Sequence, residues 1–342
     1  MHDLFSSEAA PKRASDWKAV VARYQRPEVW RAIWQLTNTL VPYAALWWLI
    51  YASLSISLWL TLPLVVLAGG FMVRIFIIFH DCGHGSFFKS RLANDLVGFI
   101  AGILSFTPYY HWRWEHAIHH SSSGDLDRRG TGDVWTMTLQ EYQQAPLGKK
   151  IRYRLARNPF VLFVLGPLYL FLVQHRIPSA KAPPREKWSV YWTNLGILAL
   201  GAAMSWMFGF KIYLFLQFAV IVIAGTSGVW LFYVQHQFEG VYWARGDDWD
   251  YAEAALKGSS FYKLPKILQW FSGSIGYHHI HHLSPRIPNY SLERCHKAEP
   301  LFQTVKPITL LTSLKSFRFR LWDEHRRELV GYSALRRSMR AR

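Results

Sequence analysis

An apolar stretch that ends directly in histidine constrains this chain more than any other feature. It runs from about Leu40 to Phe79, carries one charge, Arg74, and is followed at once by His80. The stretch is too long for one membrane-spanning helix and long enough for two helices of about 20 residues each. A soluble fold has no ordinary way to bury an uninterrupted apolar segment of this length, so we interpret the chain as a membrane protein.

The remaining apolar stretches decide the number of spans. Residues 191–210 and 212–234 each have the length of one span, and Lys211 alone separates them. Residues 93–110 and 159–173 are short and contain Pro or Gly, which is closer to interfacial or re-entrant segments. Histidine clusters follow the spans. Clusters that build one site lie on the same side of the membrane, so the chain between them crosses the membrane an even number of times. We therefore predict four transmembrane helices and two interfacial segments.

Positive charge predicts the orientation. The chain has 39 Lys and Arg against 22 Asp and Glu, a formal net charge of +17. The short outer turns contain only Lys211, whereas Lys and Arg recur throughout the loop from Lys89 to Lys187. Because positive loops stay in the cytoplasm, we predict that the histidines and both termini are cytoplasmic. The spans argue against nucleic acid as the partner, and a basic face suits anionic headgroups or an acidic protein.

Composition divides the chain into three parts. Residues 1–36 are polar and charged, so we expect no cleavable signal peptide but a cytoplasmic tail. Four residues in this tail have helical spacing, which predicts an amphipathic interfacial helix, with a soluble tail as the alternative: Trp17, Val20, Val21 and Tyr24. Residues 37–300 form the predicted membrane domain, and residues 301–342 form a basic cytoplasmic C-terminal tail.

Histidines form three clusters at the polar ends of the apolar stretches. Their sequences are HDCGH, HAIHH and HHIHHL, and their histidines are His80 and His84, then His116, His119 and His120, then His278, His279, His281 and His282. On a helix, the HxxxH and HxxHH spacings place imidazoles on one face. Protonated rings on one face repel each other, whereas neutral rings offer lone pairs to a metal. We interpret the clusters as metal ligands.

The number of histidines predicts two metal ions. The HxxxH and HxxHH spacings supply eight candidate ligands, and His236, just after the fourth span, is a ninth. This is too many for a single ion with four to six ligands. Structural zinc sites favour Cys, and the chain has only Cys82 and Cys295, of which we expect Cys82 to be a small buried filler. Imidazole suits Fe, Cu, Ni and Zn, so the ligand type leaves the metal open.

Some residues near the clusters have less certain roles. His111 and His279 stay open between direct ligation and mere proximity, and we expect structural roles for His2, His175, His296 and His325. Metal-bound imidazoles usually donate their other N–H to a carboxylate or carbonyl. Six acidic residues are candidates for that contact, with solvated loop charges as the alternative: Asp81, Glu115, Asp125, Asp127, Asp133 and Glu239.

The three clusters carry a family resemblance. HDCGHGSF, HAIHH and HHIHHLSPRIPNY closely resemble the histidine boxes of the membrane-bound fatty acid desaturases in order, spacing and intervening spans. SSSGDLDRRGTGDVW and FYVQHQFE are similar to the bacterial acyl-lipid branch, which is itself similar to the omega-6 type. The resemblance covers about residues 40–300. It implies an all-α membrane protein with four transmembrane helices, interfacial helices and a cytoplasmic helical cap that carries a di-metal site, in the bacterial inner membrane.

The resemblance also implies a cofactor and a ligand set. Members of this family hold two Fe ions and use O2 and two electrons to remove two hydrogens from adjacent methylenes. Carried over position by position, the ligands are His80, His84, His116, His119, His120, His236, His278, His281 and His282. No catalytic residue beyond these ligands is implied, and the protein's task is to hold one methylene pair beside the irons and exclude water.

Two departures from the family pattern matter. The animal acyl-CoA branch has an Asn four residues before the ligand that corresponds to His236, and this chain has Phe232 there. Gln235 and Gln237 are possible replacements for that Asn, which reaches a metal through water. No fused cytochrome b5 domain is visible, so we expect a separate electron donor, and the basic face suits an acidic one such as ferredoxin.

The expected function is introduction of a cis double bond into the acyl chain of a membrane lipid, with acyl-CoA and acyl carrier protein as the other carriers. The alternative on the same scaffold is hydroxylation, or ketolation of a carotenoid ring. A metal transporter is the alternative from another class, but it would place ligands across the middle of the spans. A metal-stabilised receptor or scaffold would keep the ligands and lack turnover.

Overall fold

The structure, a computed structural model, describes residues 17–335 and is mostly helical. His2 and parts of both predicted tails lie outside the described residues. The α-helices in chain order are α1 Trp17–Ala22, α2 Val29–Ser53, α3 Leu58–His84, α4 Arg91–Leu104, α5 Tyr109–Ser122, α6 Leu139–Gln144, α7 Leu147–Ala156, α8 Gly166–Leu172, α9 Pro184–Phe208, α10 Phe210–His236, α11 Tyr251–Gly258, α12 Lys266–Phe271, α13 His278–Leu283, α14 Asn289–Ala298, α15 Pro300–Gln303 and α16 Leu310–Ser313. A π-helical turn, Val161–Leu165, leads directly into α8.

The described chain is not purely helical, which the sequence pattern did not predict. Its short strands are β1 Met137–Thr138, β2 Phe261–Tyr262, β3 Pro307–Ile308, β4 Leu321–Asp323 and β5 Glu328–Val330. β1 pairs in parallel with β4, β4 pairs antiparallel with β5, and β2 pairs in parallel with β3. Strands of two or three residues give no period-2 pattern long enough to detect in a sequence.

Helix α3 begins and ends at residues suited to those positions. The hydroxyl of Ser57 caps its start by accepting a hydrogen bond from the backbone N–H of Trp59. Gly85 ends it with φ of +67°, a conformation that glycine adopts at little cost, so the chain turns away directly after His84. A helix of 27 residues is about 40 Å long, longer than a hydrocarbon core of about 30 Å. Its histidine-bearing end therefore has length to project beyond the apolar layer.

The long helices provide between two and four candidate membrane spans. Among the described residues, α3 and α10 are long and apolar enough to cross a membrane. Two bent pairs, α4 with α5 at 100° and α7 with the segment 161–176 at 67°, raise the number to four if each is one broken span. The predicted first and third spans correspond to α2 and α9, which are 25 residues long each but do not meet the same criterion, so the predicted set of four spans is not confirmed.

Helix α3 lies at the centre of the apolar core and packs against α2, α4 and α10. Gly69 allows α3 to approach α10 closely, because a Cβ at this position would lie 2.4 Å from a side-chain carbon of Ile223. Close approach through small residues is a common way to pack helices inside a membrane. Because α3 and α10 both end in histidine, their packing brings His80 and His236 to the same end of the bundle.

A second core supports the third histidine box. Ile280 and Leu292 are fully buried there, and Val21 and Tyr24 from the N-terminal segment pack into the same cluster. The described part of the predicted amphipathic helix is α1, and its Val21 packs into this core.

The chain from residue 301 onwards folds back onto the body as far as it is described. Trp322 of β4 is 2% exposed and packs with Leu126 and Trp243, which follow the second box and α10 respectively. Arg157 is also buried, and its guanidinium donates to the side chain of Gln237 and to the carbonyl of Phe319. These contacts join the segment after the second box, the end of α10 and the C-terminal region.

Candidate metal centre and adjoining cavity

Four helices bring eight of the nine predicted ligands into two groups. α3, α5 and α13 carry the first group, whose ligand atoms lie within 4.8 Å of one another: His80, His84, His116, His120 and His281. α5, α10 and α13 carry the second group, which meets the same criterion: His119, His236 and His282. The groups are adjacent, since the rings of His120 and His282 stack with their centroids 4.1 Å apart.

The ninth predicted ligand, His278, lies beside the second group. Its Nε2 is 3.0 Å from Nε2 of His236, and its ring centroid is 4.5 Å from that of His282. The nine histidines therefore divide geometrically into five and four. The HxxHH spacing produces this division, because residues at i and i+3 on α5 and α13 point to different neighbours.

Short distances between ring nitrogens test whether the residues suit metal ions. Nε2 of His120 lies 3.1 Å from Nε2 of both His116 and His281. A single proton on Nε2 of His120 can make only one of these two contacts a hydrogen bond. By contrast, two nitrogens that each lie about 2.1 Å from one metal ion, at right angles around it, are about 3 Å apart, which matches the observed distances. Several ring nitrogens are also buried without a hydrogen-bond partner among the described residues, including Nε2 of His84, His119 and His282. The donor set therefore fits two metal ions.

Burial favours the neutral form of the imidazoles at the ends of the second and third boxes. Desolvation, reinforced by neighbouring imidazoles, holds the pKa of His281 and His282 well below the ordinary 6.5. The same causes, in the same order, lower the pKa of His116 and His120. A neutral imidazole has one ring nitrogen free to bind a metal, so the site has its lone pairs available at neutral pH.

Two of the six acidic candidates contact the predicted ligands. The carboxylate of Asp133 lies 2.7 Å from Nδ1 of His119, and that of Asp81 lies 3.2 Å from Nδ1 of His80. Asp81 also accepts hydrogen bonds from the backbone and the side chain of Asn289. It therefore joins the first box to the helix that follows the third. Sequence reasoning missed Asn289, although it belongs to the HHLSPRIPNY motif.

The other acidic candidates have different partners. Asp125 and Asp127 accept from Arg128 and Arg245, and Glu239 from Lys315. Glu115 lies 3.6 Å from His111 and lines the cavity described below. For Asp127 and Glu239, which are exposed, the alternative interpretation as solvated loop charges matches the geometry, whereas Asp125 is buried in its contact with Arg128.

The two histidines whose role the sequence left open lie outside both groups. Nε2 of His111 accepts a hydrogen bond from the backbone N–H of Ser179. His279 points away from the other imidazoles of its box and packs against Phe261, His296 and Phe302. Consecutive residues of a helix are turned by about 100°, so the ring of His279 leaves α13 in a different direction from that of its neighbour His278.

Phe232 lies against the second group rather than leaving a gap. Its ring centroid is 5.3 Å from that of His119 and 5.2 Å from that of His236. Neither glutamine named as a possible substitute points its amide to the histidines: Gln235 donates to the carbonyl of Ile275, and Gln237 contacts Arg157 and Thr136. The position of the family's Asn is thus taken by an apolar wall.

A largely apolar cavity of about 380 Å³ adjoins both groups of histidines. His80 and His116 of the first group and His278 beside the second line one end. The apolar walls come from α3, α8 and α10: Met72, Val73, Phe76, Ile77, Leu170, Phe171, Ile221, Ala224, Gly225, Gly228, Val229, Leu231 and Phe232. Trp112 also lines it and stacks on His116, with centroids 4.2 Å apart. Such a cavity accepts a long aliphatic chain and presents it to the histidines.

Comparison with known proteins agrees with this geometry. The family described as fatty acid desaturase matches residues 57–307. A fatty acid desaturase from Bacillus subtilis (strain 168) is 50% identical over 316 residues, which cover 92% of this chain and 90% of the relative. An sn-1 acyl-lipid omega-3 desaturase (ferredoxin) from Nostoc sp. (strain 36) is 30% identical over 277 residues, covering 76% and 72%.

A third relative represents another regiospecificity. The sn-1 oleoyl-lipid 12-desaturase of Synechocystis sp. is 28% identical over 256 residues, which cover 70% of this chain and 68% of the relative. The match to the family spans all three histidine boxes and the cavity-lining helices. The chain therefore belongs to the fatty acid desaturase family.

Proposed function

We propose that this protein introduces a cis double bond into the acyl chain of a membrane lipid. The observation that carries the proposal is the cavity, whose apolar walls lead to His80, His116 and His278 from the two groups of histidines. An acyl chain in this cavity has its methylenes beside both groups at once. The names of the Nostoc and Synechocystis relatives, which specify acyl-lipid substrates, support a lipid as the carrier.

The two groups would hold one iron each. His80, His84, His116, His120 and His281 would bind the first iron, and His119, His236, His278 and His282 the second. The irons would supply the oxidation, in which O2, two electrons and two protons convert –CH2–CH2– to –CH=CH– and two waters. Asp133 holds a proton on Nδ1 of His119, which leaves Nε2 as the ligand atom.

Aromatic side chains shape the reacting end of the cavity. Trp112 stacks on His116, and Phe232 lies against His119 and His236. Flat rings beside the histidines restrict where a methylene pair can lie and exclude water from the C–H bonds. Exclusion of water matters because the oxidising power supplied at this site must act on the acyl chain and not on solvent.

The proposed topology has four spans, α2, α3, α9 and α10, with the histidines and the cap in the cytoplasm of a bacterial cell. The length of α3, which exceeds the hydrocarbon thickness, supports a cap that lies outside the apolar layer. The concentration of Lys and Arg between Lys89 and Lys187 supports the cytoplasmic orientation.

The proposed electron donor is a separate acidic protein of the ferredoxin type. The net charge of +17 supports an acidic partner, and the Nostoc relative carries ferredoxin in its name.

Expression in a bacterium that makes only saturated chains tests the proposal. With iron and a reduced ferredoxin system present, gas chromatography–mass spectrometry of the total lipids should show chains two hydrogens lighter, and derivatisation should locate one cis double bond. His119→Ala, made at matched membrane levels, should give no such product. Chains that gain an oxygen atom would instead establish hydroxylation, and unchanged chains from iron-loaded protein with a working donor would contradict the proposal.

A further inference from the structure

The proposed reaction consumes protons and forms water inside a largely apolar cavity. Each methylene pair that is oxidised uses O2, two electrons and two protons, and two waters are formed. Apolar side chains neither supply protons nor bind water, and they make up most of the cavity wall. The reaction therefore needs a polar connection between the cavity and the aqueous phase.

His111 lies behind the cavity wall and close to two residues that line it. Glu115 and His175 both line the cavity. Nδ1 of His111 is 3.6 Å from the carboxylate of Glu115, which is too long for a hydrogen bond, and the charges of His111 and His175 are close enough to interact. His111 is 4% exposed, so it forms a second layer behind these two side chains.

The tautomer of His111 directs an N–H into this region. Its Nε2 accepts a hydrogen bond from the backbone N–H of Ser179 across 3.1 Å. Burial lowers the pKa of the imidazole, so the ring is neutral and carries its proton on Nδ1. This Nδ1–H is buried and has no hydrogen-bond partner within residues 17–335. Buried donors of this kind are usually satisfied by an ordered water.

His175 offers the complementary group, an acceptor. Its ring is hydrogen-bonded to the backbone of Phe106, and its Nδ1 is buried without a partner among the described residues. Because the ring donates to a backbone carbonyl through its other nitrogen, Nδ1 keeps a free lone pair. Water that accepts from His111 can donate to His175, and the two imidazoles then give a chain of waters one direction.

Glu186 provides the outer end of this region. It belongs to the first turn of α9, where Ser189 accepts a hydrogen bond from the backbone N–H of Tyr110, the residue before His111. The charge of Glu186 acts on His111. The residue is half-buried, and its Oε2 is buried without a partner in the part of the chain that the structure describes. Its carboxylate therefore connects the surface with the region around His111.

A further metal ion does not explain these side chains. In the described chain, the groups of three or more ligand atoms within 4.8 Å of one another are the two described above, and neither includes His111, His175 or Glu186. One donor and two acceptors, all buried and none of them paired, are instead suited to water, which both donates and accepts.

We propose that His111, His175 and Glu186 hold a chain of ordered waters between the cytoplasmic surface and the cavity, through which two protons enter and the product waters leave in each turnover. The inference rests on the proposed function. The electrons come from the proposed ferredoxin-type donor and the protons from bulk water, so that –CH2–CH2–, O2, two electrons and two protons give –CH=CH– and two waters. The three side chains act by positioning water and do not touch the substrate carbons.

Replacement of the two outer side chains by leucine tests the inference. In nanodiscs with saturating donor and O2, His111→Leu and Glu186→Leu should each lower kcat about tenfold, less than the factor of about 100 or more that a direct proton donor contributes. KM for the lipid should stay within about twofold. His111→Gln keeps an N–H donor and a group that accepts from Ser179, so it should recover most of kcat.

Two residues of α14 provide matched controls for the same chemical changes. His296 is half-buried and packs against Phe261 and Tyr277, and Glu293 pairs with Lys297 at the surface. His296→Leu and Glu293→Leu should have the kcat of the wild type. The double variant of His111→Leu with Glu186→Leu should lose no more kcat than the weaker single variant, because both changes interrupt one route.

The solvent isotope effect distinguishes proton delivery from a structural defect. The ratio of kcat in H2O to kcat in D2O should rise above the wild-type ratio in His111→Leu and Glu186→Leu, because proton delivery becomes rate-limiting. A variant that is merely less well folded would keep the ratio of the wild type. Unchanged kcat and an unchanged ratio in both leucine variants would overturn the inference, while turnover by the wild type upholds the proposed function.

A measurement on metal-free protein does not depend on turnover. A crystal structure at a resolution that shows water should place ordered waters within hydrogen-bond distance of Nδ1 of His111 and Oε2 of Glu186, and Glu186→Leu should lose the outer ones. A dry region around His111 would overturn the inference. Ordered waters at these atoms in a protein whose metal-loaded form yields no oxidised product would instead uphold the water chain and contradict the proposed function.

Discussion

The carboxylate of Asp133 accepts a hydrogen bond from Nδ1 of His119 across 2.7 Å. His119 belongs to the second group of histidines and Asp133 to the loop that follows the second box. The contact fixes the tautomer and the orientation of the ring, so that Nε2 is directed to the other histidines. It also holds the loop 130–132, whose residues line the cavity, against the site.

Asp133→Asn should reduce desaturation about 10- to 100-fold. Loss of a carboxylate that orients a metal-binding histidine usually lowers the metal affinity or the activity of the enzyme by about this factor. Asp127→Asn is the control, since Asp127 pairs with Arg245 at the surface. Product by gas chromatography–mass spectrometry and iron by elemental analysis measure the two effects. Full activity of Asp133→Asn would show that His119 needs no such support.

His236→Ala should abolish product and lower the iron content from two to about one per chain, because it removes a member of the smaller group. His279→Gln, a change of similar chemistry at a neighbouring imidazole, should retain both irons, since His279 packs against Phe261 and His296 instead. Elemental analysis of purified protein gives the comparison. Equal iron loss in the two variants would contradict the division of the histidines into five and four.

Gly228→Leu should fill part of the cavity and impair long chains more than short ones. A Cβ at Gly228 meets no atom within 4 Å, so the added side chain enters open space, about 12 Å along α10 from His236. Gly201→Leu is the control, because Gly201 has similar room on α9 but does not line the cavity. The yield of desaturated product, measured against the length of the acyl chain, should shift to shorter chains in Gly228→Leu only. An unchanged distribution would show that the part of the cavity beside Gly228 does not bind the substrate.

Removal of iron should lower the melting temperature by at least about 5 °C, because ligands that bind only the folded state stabilise it. The physical reason is the set of buried ring nitrogens in the two groups that have no hydrogen-bond partner among the described residues. Differential scanning fluorimetry before and after chelation measures the change, and readdition of Fe²⁺ should reverse it. His236→Ala should show a smaller loss on chelation than the wild type.

Trp322→Ala should destabilise the protein by about 3–5 kcal/mol, the usual cost of removing a buried aromatic side chain. Trp322 is 2% exposed and packs with Leu126 and Trp243. Trp206→Ala is the control for the same chemical change, since Trp206 is 89% exposed. Thermal unfolding in detergent should separate the two, and equal melting temperatures would show that the C-terminal region adds nothing to the stability of the body.

The sequence was sufficient for the family and for which histidines come together. The spacing within the boxes and their position at the ends of apolar stretches predicted a shared site, and the structure brings His80 on α3, His236 on α10 and His281 on α13 to one end of the bundle. The family is confirmed by the match over residues 57–307. These features depend on local spacing and hydrophobicity, which a sequence contains directly.

Other features depend on contacts between distant residues. His278 and His279 are neighbours in sequence, and only the direction of α13 determines that the first lies near His236 and the second near Phe261. The pairing of Leu321 in β4 with Met137 in β1 joins residues far apart in the chain and leaves no local pattern. His175, expected to be structural, lines the cavity because the segment after α8 packs against the break between α4 and α5.

The placement of the ligands on α3 and α13 also sets the order of events during biosynthesis. The ribosome completes His80 long before His282, so the nascent chain must insert its last long apolar helix, α10, before either group of histidines is whole. β4, which closes over the second-box loop through β1, emerges later still. Neither group can therefore bind a metal through all its ligands until the third box has been made, and a cell that produces this protein faster than it delivers iron will accumulate chains whose histidine groups are complete but empty.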